Sequence, residues 1–105
     1  MLILGSGNLV HNLRAYAWGQ PEGTAPPFDW AVRFEDRAKE LLLGGDYRAL
    51  ADWQNLGAEA RLAIPTPDHY LPLLYVLGAG EGAGVTLPVE GIEGGSISML
   101  GVQLG

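Results

Sequence analysis

The pattern of apolar and polar positions is clearest from Trp30 to Leu43, where apolar residues recur at the period of a helix. These apolar residues are Trp30, Phe34, Ala38, Leu41 and Leu42. The positions between them are charged and are expected to face water: Arg33, Glu35, Asp36, Lys39 and Glu40. Asp29 is a favourable N-cap residue, and Gly44-Gly45 closes the segment. The pattern therefore predicts an amphipathic helix from Trp30 to about Leu43.

Further helices are predicted on both sides of a proline-rich segment. Asp46 is placed to cap a short helix from Tyr47 to about Gln54, and residues 55–61 favour a turn or another short helix. The segment Pro65-Thr66-Pro67 holds the backbone extended before a helix from Tyr70 to Leu77. This last helix is apolar almost all round, which predicts that it is buried.

The start of the chain has the pattern of a strand followed by a helix. Met1 to Leu4 is wholly apolar and is ended by Gly5-Ser6-Gly7. A short run of this kind suggests a strand buried on both faces, as in the central sheet of an α/β fold. The glycine turn leads into Asn8 to Tyr16, for which we predict a helix with His11 on its first turns.

Glycine is abundant in the last part of the chain, where two strands are predicted. The 105 residues include 16 glycines, and most of them follow residue 77. Loops are expected at 19–27 and 78–84, and strands at Val85 to Val89 and Ser96 to Leu104. We expect one α/β domain, residues 1–105, with short central strands and flanking helices.

Composition excludes several functional classes. The net charge of −6 and six scattered basic residues predict no nucleic-acid partner and no anionic membrane surface. No apolar run approaches the roughly 20 residues that a membrane-spanning helix needs. There is no cysteine, which removes disulfides and thiolate metal sites and is compatible with a reducing compartment. We therefore expect a cytoplasmic protein.

His11 and His69 are the only histidines and the leading candidates for chemistry. A single histidine is more often a structural residue than a ligand, but both of these lie at predicted element boundaries, where side chains can face a cleft. Imidazole binds iron and zinc and carries protons near pH 7. Two histidines are an incomplete metal site, so these residues alone leave the structural and the functional interpretation open.

The turn Gly5 to Asn8 offers a second, weaker candidate, a phosphate-binding loop. The dinucleotide fingerprint requires a further glycine where Val10 stands, and the lysine of a nucleotide-binding P-loop is absent. A glycine-rich turn between a strand and a helix is more often a matter of backbone geometry. Nucleotide binding stays an alternative on this evidence.

Four blocks of sequence together resemble the class III extradiol ring-cleavage dioxygenases of the 4,5-DOPA type, in the LigB-like superfamily. In family order, the blocks are Ile3 to Arg14 with its Gly-Ser-Gly-Asn turn, Phe28 to Ala31, Arg61 to Tyr75 with Pro-Thr-Pro-Asp-His, and Gly95 to Met99. They extend over nearly the whole chain and are far more specific than either histidine. The resemblance implies the C-terminal portion of an α/β catalytic domain.

The resemblance also implies chemistry. Members open a catechol ring with dioxygen at a non-haem metal, so a small catechol and dioxygen are the expected partners, with one Fe(II) or Zn(II) per complete site. His11 and His69 match family histidines that are catalytic or bind the metal, and their roles stay open. The helix predicted at His11 would lower its pKa and suit it to acid/base work. Ser6, Asn8 and Asn12 lie in the same block and are expected to bind substrate.

The resemblance implies a longer N-terminal half that supplies further metal-site histidines, and the 105 residues match only the family's C-terminal portion. We therefore expect the chain alone to bind metal poorly and to need a complementing N-terminal half. A second possibility is a non-catalytic remnant or a dimeric module, in which the strand Met1 to Leu4 pairs with its counterpart in a homodimer.

Overall fold

The computed structural model describes residues 1–105 as helices and short strands. The α-helices are α1 (Asp29–Leu43), α2 (Tyr47–Ala51), α3 (Ala58–Ala63) and α4 (Leu71–Ala79), and short 3₁₀ turns cover Trp53–Asn55 and Pro67–His69. The strands are β1 (Val85–Val89), β2 (Ile92–Glu93), β3 (Ile97–Ser98) and β4 (Gly101–Leu104). This mixture confirms the α/β class. None of the helices has the length and hydropathy that a membrane crossing requires.

The strands form two antiparallel pairs, β1 with β4 and β2 with β3. The strand predicted from Ser96 to Leu104 is divided into β3 and β4, because the two residues between them, Met99 and Leu100, belong to neither strand. β2 was not predicted, since two residues are too few to show an alternating pattern. A single residue pair, His11 with Ile97, extends the β2–β3 pair on its other side.

Helix α1 confirms the predicted amphipathic helix, with two corrections. The N-cap residue is Phe28 and Asp29 is the first helical residue, so Asp29 lies in the first turn instead of capping it. Gly45 adopts a φ of 74°, the left-handed conformation that ends many helices. Glu35 was expected to face water and is buried, with 6% of its surface exposed.

The predicted cap of the second helix is confirmed, because the Asp46 carboxylate accepts a hydrogen bond from the Ala49 amide at 3.2 Å. The helix ends at Ala51, earlier than predicted, and a 3₁₀ turn follows.

Burial of α4 was predicted too broadly. Leu77 is buried, but Tyr75 exposes 76% of its surface, so one side of α4 is open to solvent.

The core lies where α1 packs against α2 and α3, with Tyr70 closing it from the start of α4. The Tyr70 hydroxyl donates a buried hydrogen bond of 2.6 Å to the Leu50 carbonyl oxygen. Burial raises the pKa of the Tyr70 phenol well above its usual range. The other large buried side chains include Phe34, Leu42, Leu77 and Val10.

The two elements predicted at the start of the chain are both wrong. Met1 to Leu4 forms no strand and is exposed; residues 1–7 make no backbone hydrogen bond. A strand exists only when it is hydrogen-bonded to a partner, and no strand of this chain pairs with this run. Asn8 to Tyr16 forms bends and turns instead of a helix. The Gly5 to Asn8 turn therefore opens no helix, and the phosphate-loop alternative loses the helix N-terminus that it requires.

Residues 8–12, which we call the central segment, are held by hydrogen bonds from both sides. On one side the amides of Asn8 and His11 donate to the carbonyl oxygens of His69 and Ala63, both at 2.8 Å. On the other side the Ser98 amide donates to the Val10 carbonyl oxygen at 2.9 Å. These long-range bonds replace the local hydrogen bonds that a helix would have made.

The glycine before the central segment allows its close approach to the Pro67–His69 turn. A Cβ atom added to Gly7 would lie 2.1 Å from the His69 carbonyl oxygen, well inside van der Waals contact. The opposing atom is backbone and cannot rotate away. Gly7 is therefore required by packing, which positions the backbone of His69 against the central segment.

We predict that Gly7→Ala displaces the His69 turn and lowers the free energy of unfolding by about 1–3 kcal/mol, the usual cost of overpacking. Urea unfolding measures the change. Gly78→Ala is the matched control, because a Cβ at Gly78 meets nothing within 4 Å. Since Gly78 lies within α4, this control is expected to be neutral or stabilising by up to about 1 kcal/mol. Equal stability of the two variants would contradict the packing role of Gly7.

Candidate functional site

His11 lies in the middle of the central segment and is fixed through its backbone. Its amide is bonded to the Ala63 carbonyl oxygen, and its main chain pairs with Ile97 of the strand layer. The side chain is half-buried. A segment held by hydrogen bonds on both sides has few conformations available, so the direction of the His11 imidazole is set by the fold.

His69 ends the 3₁₀ turn that the Pro-Thr-Pro-Asp sequence produces. Pro67 starts the turn, and the Thr66 hydroxyl donates to the Asp68 carboxylate at 2.6 Å. The other oxygen of Asp68, Oδ2, lies 3.5 Å from His69 Nε2. The Thr66 hydrogen bond is the main cause that lowers the pKa of Asp68 below its usual range, with smaller contributions from its backbone hydrogen bond and the two histidines. Asp68 is therefore an anion beside His69.

The structure brings the two predicted histidines together. Their imidazole rings are stacked, with centroids 3.7 Å apart and planes inclined by 12°. The pKa of His11 is lowered from its ordinary value, first by desolvation and then by the neighbouring His69, against a smaller raising effect of Asp68. A helix N-terminus was the expected cause, and that reason is wrong because no helix starts there. Near pH 7, a lowered pKa keeps His11 neutral and able to accept a proton.

The stack decides how the pair fits a metal ion. A metal binds an imidazole nitrogen in the plane of the ring, at about 2.0–2.1 Å for zinc. The two ring planes are nearly parallel and their centroids are 3.7 Å apart, so no single position lies in both planes at bonding distance from both rings. No group of three or more histidine, cysteine, aspartate or glutamate side chains is gathered to hold a metal either. In this arrangement at most one of the two imidazoles can bind a given ion.

The three residues predicted to bind substrate lie in different surroundings. Ser6 is exposed and lines a cavity of about 410 Å³ beside Asp68 and Tyr75. Asn8 Nδ2 donates to the Ser98 carbonyl oxygen at 2.9 Å. Asn12 is buried; its Nδ2 donates to the Leu62 carbonyl oxygen at 2.8 Å. The amide groups of both asparagines thus hold the central segment in place, and substrate binding by any of the three stays a prediction.

Two polar residues around the site were not singled out from the sequence. Ser96 donates its hydroxyl proton to the Asn12 carbonyl oxygen at 2.7 Å, and Ser98 donates to the Glu35 carboxylate at 2.6 Å. Both serines are buried. Small polar residues alternating with larger apolar ones around Ile97 were the only available signal, and this signal does not reveal the distant partners.

Comparison with known proteins shows which class of protein this chain resembles. No family model matches the chain. The 4,5-DOPA dioxygenase extradiol of Escherichia coli (strain K12) is 46% identical over 108 aligned residues, covering 100% of this chain and 39% of that protein. The 4,5-DOPA dioxygenase extradiol of Portulaca grandiflora is 37% identical over 82 residues, and that of Beta vulgaris is 31% identical over 102.

A solved structure agrees with these sequence matches. The crystal structure of the uncharacterized Escherichia coli K12 protein JW3007 superimposes with a TM-score of 0.82 at 45% identity, covering 95% of this chain and 41% of that one. The resemblance to the extradiol dioxygenases of the 4,5-DOPA type, which the four sequence blocks indicated, is therefore confirmed over the whole of this chain. It spans about two fifths of the length of its E. coli relative, with 39% covered.

We predict that His11 titrates below the ordinary value of 6.5 and that its neighbours tune it in opposite directions. His69→Gln removes a repulsive charge and should raise the His11 pKa, whereas Asp68→Asn removes an attractive charge and should lower it. Titration of the ring protons by NMR measures both shifts. Changes of the same sign in the two variants would contradict the stacked geometry.

The sign of the stability effect follows from the same pKa. The folded protein binds the His11 proton less readily than the unfolded chain does. The contribution of His11 to stability is therefore present above pH 6.5 and is lost as the pH falls through the lower pKa of the folded state. Urea unfolding at several pH values should show this loss, and His11→Gln should remove it.

Proposed function

We propose that this chain supplies two active-site histidines of an extradiol dioxygenase that opens a catechol-type ring with dioxygen. The stacked pair of His11 and His69 carries the proposal, because the fold brings together two imidazoles that are distant in sequence. The names of the relatives support the reaction class, since each is a 4,5-DOPA dioxygenase extradiol.

The surroundings of the two rings support different roles. His11 has the lowered pKa and is held through its backbone, which suits a base that takes a proton near pH 7. His69 has a carboxylate oxygen of Asp68 at 3.5 Å from Nε2, and carboxylates in this position commonly orient metal-binding imidazoles. We therefore assign the acid/base role to His11 and the metal-binding role to His69.

The chemistry gives His11 a defined task. Extradiol cleavage breaks a ring carbon–carbon bond beside the two hydroxyl groups and adds both atoms of dioxygen, so no external reductant is needed. The catechol must lose a hydroxyl proton, and a neutral imidazole beside it can accept one proton at its free nitrogen. A non-haem Fe(II) or Zn(II) ion, one per complete site, would supply the positive charge that gathers catecholate and dioxygen.

An exposed apolar surface supports a partner for the chain. The backbone of Met1 to Leu4 is unpaired, and this run lines two cavities of about 410 and 590 Å³ against the open side of α4 and strand β4. Large exposed apolar patches mark interaction surfaces. We propose that this surface binds a polypeptide equivalent to the part of the relatives outside the matched two fifths, which would also provide the remaining metal ligands.

A homodimer through the same run is the competing arrangement. Two copies could pair their exposed Met1 to Leu4 segments as antiparallel strands, and this would satisfy the backbone without completing the metal site. The unpaired backbone favours either arrangement, whereas the incomplete ligand set favours the complementing polypeptide.

We predict that the chain forms a complex with the unmatched part of the E. coli relative, and that Leu2→Lys with Leu4→Lys abolishes it. Both leucines are more than 80% exposed in the free chain, so the substitutions should leave its own fold intact. Sedimentation velocity measures the complex. Leu43→Lys, at an exposed leucine that lines neither cavity, is the control. A homodimer that excludes the added polypeptide would overturn the proposed partner.

We predict that the complemented enzyme turns over a catechol and that the two histidine variants fail differently. His11→Gln should lower kcat by about 10²- to 10⁴-fold while bound metal is retained, because it removes the acid/base group. His69→Gln should lose bound metal as well as activity. A spectroscopic ring-opening assay and elemental analysis separate the two outcomes, with the exposed Arg37→Gln as control. Unchanged turnover in either histidine variant would refute the assignment.

A further inference from the structure

Glu35 is the one charged side chain of α1 that is buried, and the proposed function does not use it. Only 6% of its surface is exposed, although the helix has a solvent face with room for a glutamate. Burying a carboxylate is costly unless hydrogen bonds and charges compensate for the lost water. A buried glutamate at this place therefore needs a partner that explains it.

That partner is Ser98 of strand β3. The Ser98 hydroxyl donates a hydrogen bond of 2.6 Å to Glu35 Oε1, in the range of the short bonds made to charged acceptors. The same hydroxyl oxygen accepts a bond from the Leu100 amide at 3.2 Å, so both of its hydrogen-bonding roles are used. Ser98 is itself only 1% exposed. The bond fixes the α1 helix to strand β3 in the interior.

The backbone of Ser98 in turn holds the central segment. Its amide donates to the Val10 carbonyl oxygen, and its carbonyl oxygen accepts from Asn8 Nδ2, both at 2.9 Å. The neighbouring residue Ile97 pairs with His11. A continuous series of bonds therefore leads from the Glu35 carboxylate through Ser98 to Asn8 and Val10, the latter directly before His11.

The charges around Glu35 are consistent with a fixed carboxylate. Lys39, one turn further along α1, is held by Glu90 from the loop after β1, and its pKa is raised mainly by that hydrogen bond and also by Glu35. The lysine thus provides a positive charge near the buried carboxylate without replacing Ser98 as its hydrogen-bond donor.

We infer that Glu35 is a positioning residue for the histidine pair: its carboxylate holds Ser98, and Ser98 holds the central segment so that the His11 ring stacks on His69. The inference rests on the proposed function only in taking this stack as the reacting pair. Glu35 makes no hydrogen bond to either ring and acts through two intervening hydrogen bonds.

The test measures the stack directly, in the free chain, by cross-ring nuclear Overhauser contacts between the two imidazoles. Glu35→Leu removes the acceptor at nearly constant size, and Ser98→Ala removes the donor. Both variants should lose most of the cross-ring contacts. Glu35→Gln keeps an acceptor oxygen and should retain them. In the complemented enzyme, the first two should lower kcat by on the order of 10- to 100-fold, the effect of a small misplacement, with little change in KM.

Two controls separate positioning from stability. Leu42→Ala leaves a cavity on the same helix and should destabilise the protein without reducing the cross-ring contacts. Glu40→Leu removes an exposed glutamate of α1 and should change neither. If Glu35→Leu lowers stability but keeps the contacts, as Leu42→Ala does, the inference is overturned. Should Glu35→Leu fail to fold, Ser98→Ala decides the question with a smaller change.

Failure of the inference and failure of the proposed function have different signatures. An inactive complemented wild type with intact cross-ring contacts would remove the function and leave the positioning role standing. An active enzyme in which Glu35→Leu and Ser98→Ala keep both the cross-ring contacts and kcat would leave the proposed function standing and remove the positioning role.

Discussion

The hydrogen bonds on both edges of residues 8–12 are the constraint on which the rest of the site depends. The end of α3 and the Pro67–His69 turn form hydrogen bonds with one edge of this central segment, and β3 forms hydrogen bonds with the other. Each such bond contributes on the order of 1 kcal/mol net, and leaving a buried partner unsatisfied costs more. A segment with hydrogen bonds on both sides therefore has a single low-energy position. The helices need this segment as well, because Val10 is fully buried among them.

Local pattern was sufficient for elements whose signals lie within the element itself. The amphipathic period of α1, the Asp46 cap and strand β1 could be predicted because each depends on neighbouring residues. The central segment could not be, since its backbone partners lie more than 50 residues away in sequence. The apolar run Met1 to Leu4 was misjudged for a related reason: apolar content predicts burial only when the fold provides a surface to cover it.

The site divides in the same way. Residue type and the family resemblance singled out His11 and His69, and the fold then placed their rings 3.7 Å apart. The residues that set this geometry gave no sequence signal. By its spacing along α1, Glu35 falls among the residues predicted to face solvent. It is interior only because β3 packs over this position. Support residues of this kind are recognised by what they bond, which a pattern along one chain does not contain.

Stacking also explains why two histidines in contact suit two different tasks. If both rings bound one ion, their planes would have to converge, and neither would keep a free nitrogen pointed at the substrate. Nearly parallel rings prevent this. Because a second positive charge 3.7 Å away is unfavourable, the pair also resists double protonation, which keeps one imidazole available as a base. The geometry that keeps the two rings from binding one ion is therefore the geometry that the proposed roles require, with His11 as acid/base group and His69 as metal ligand.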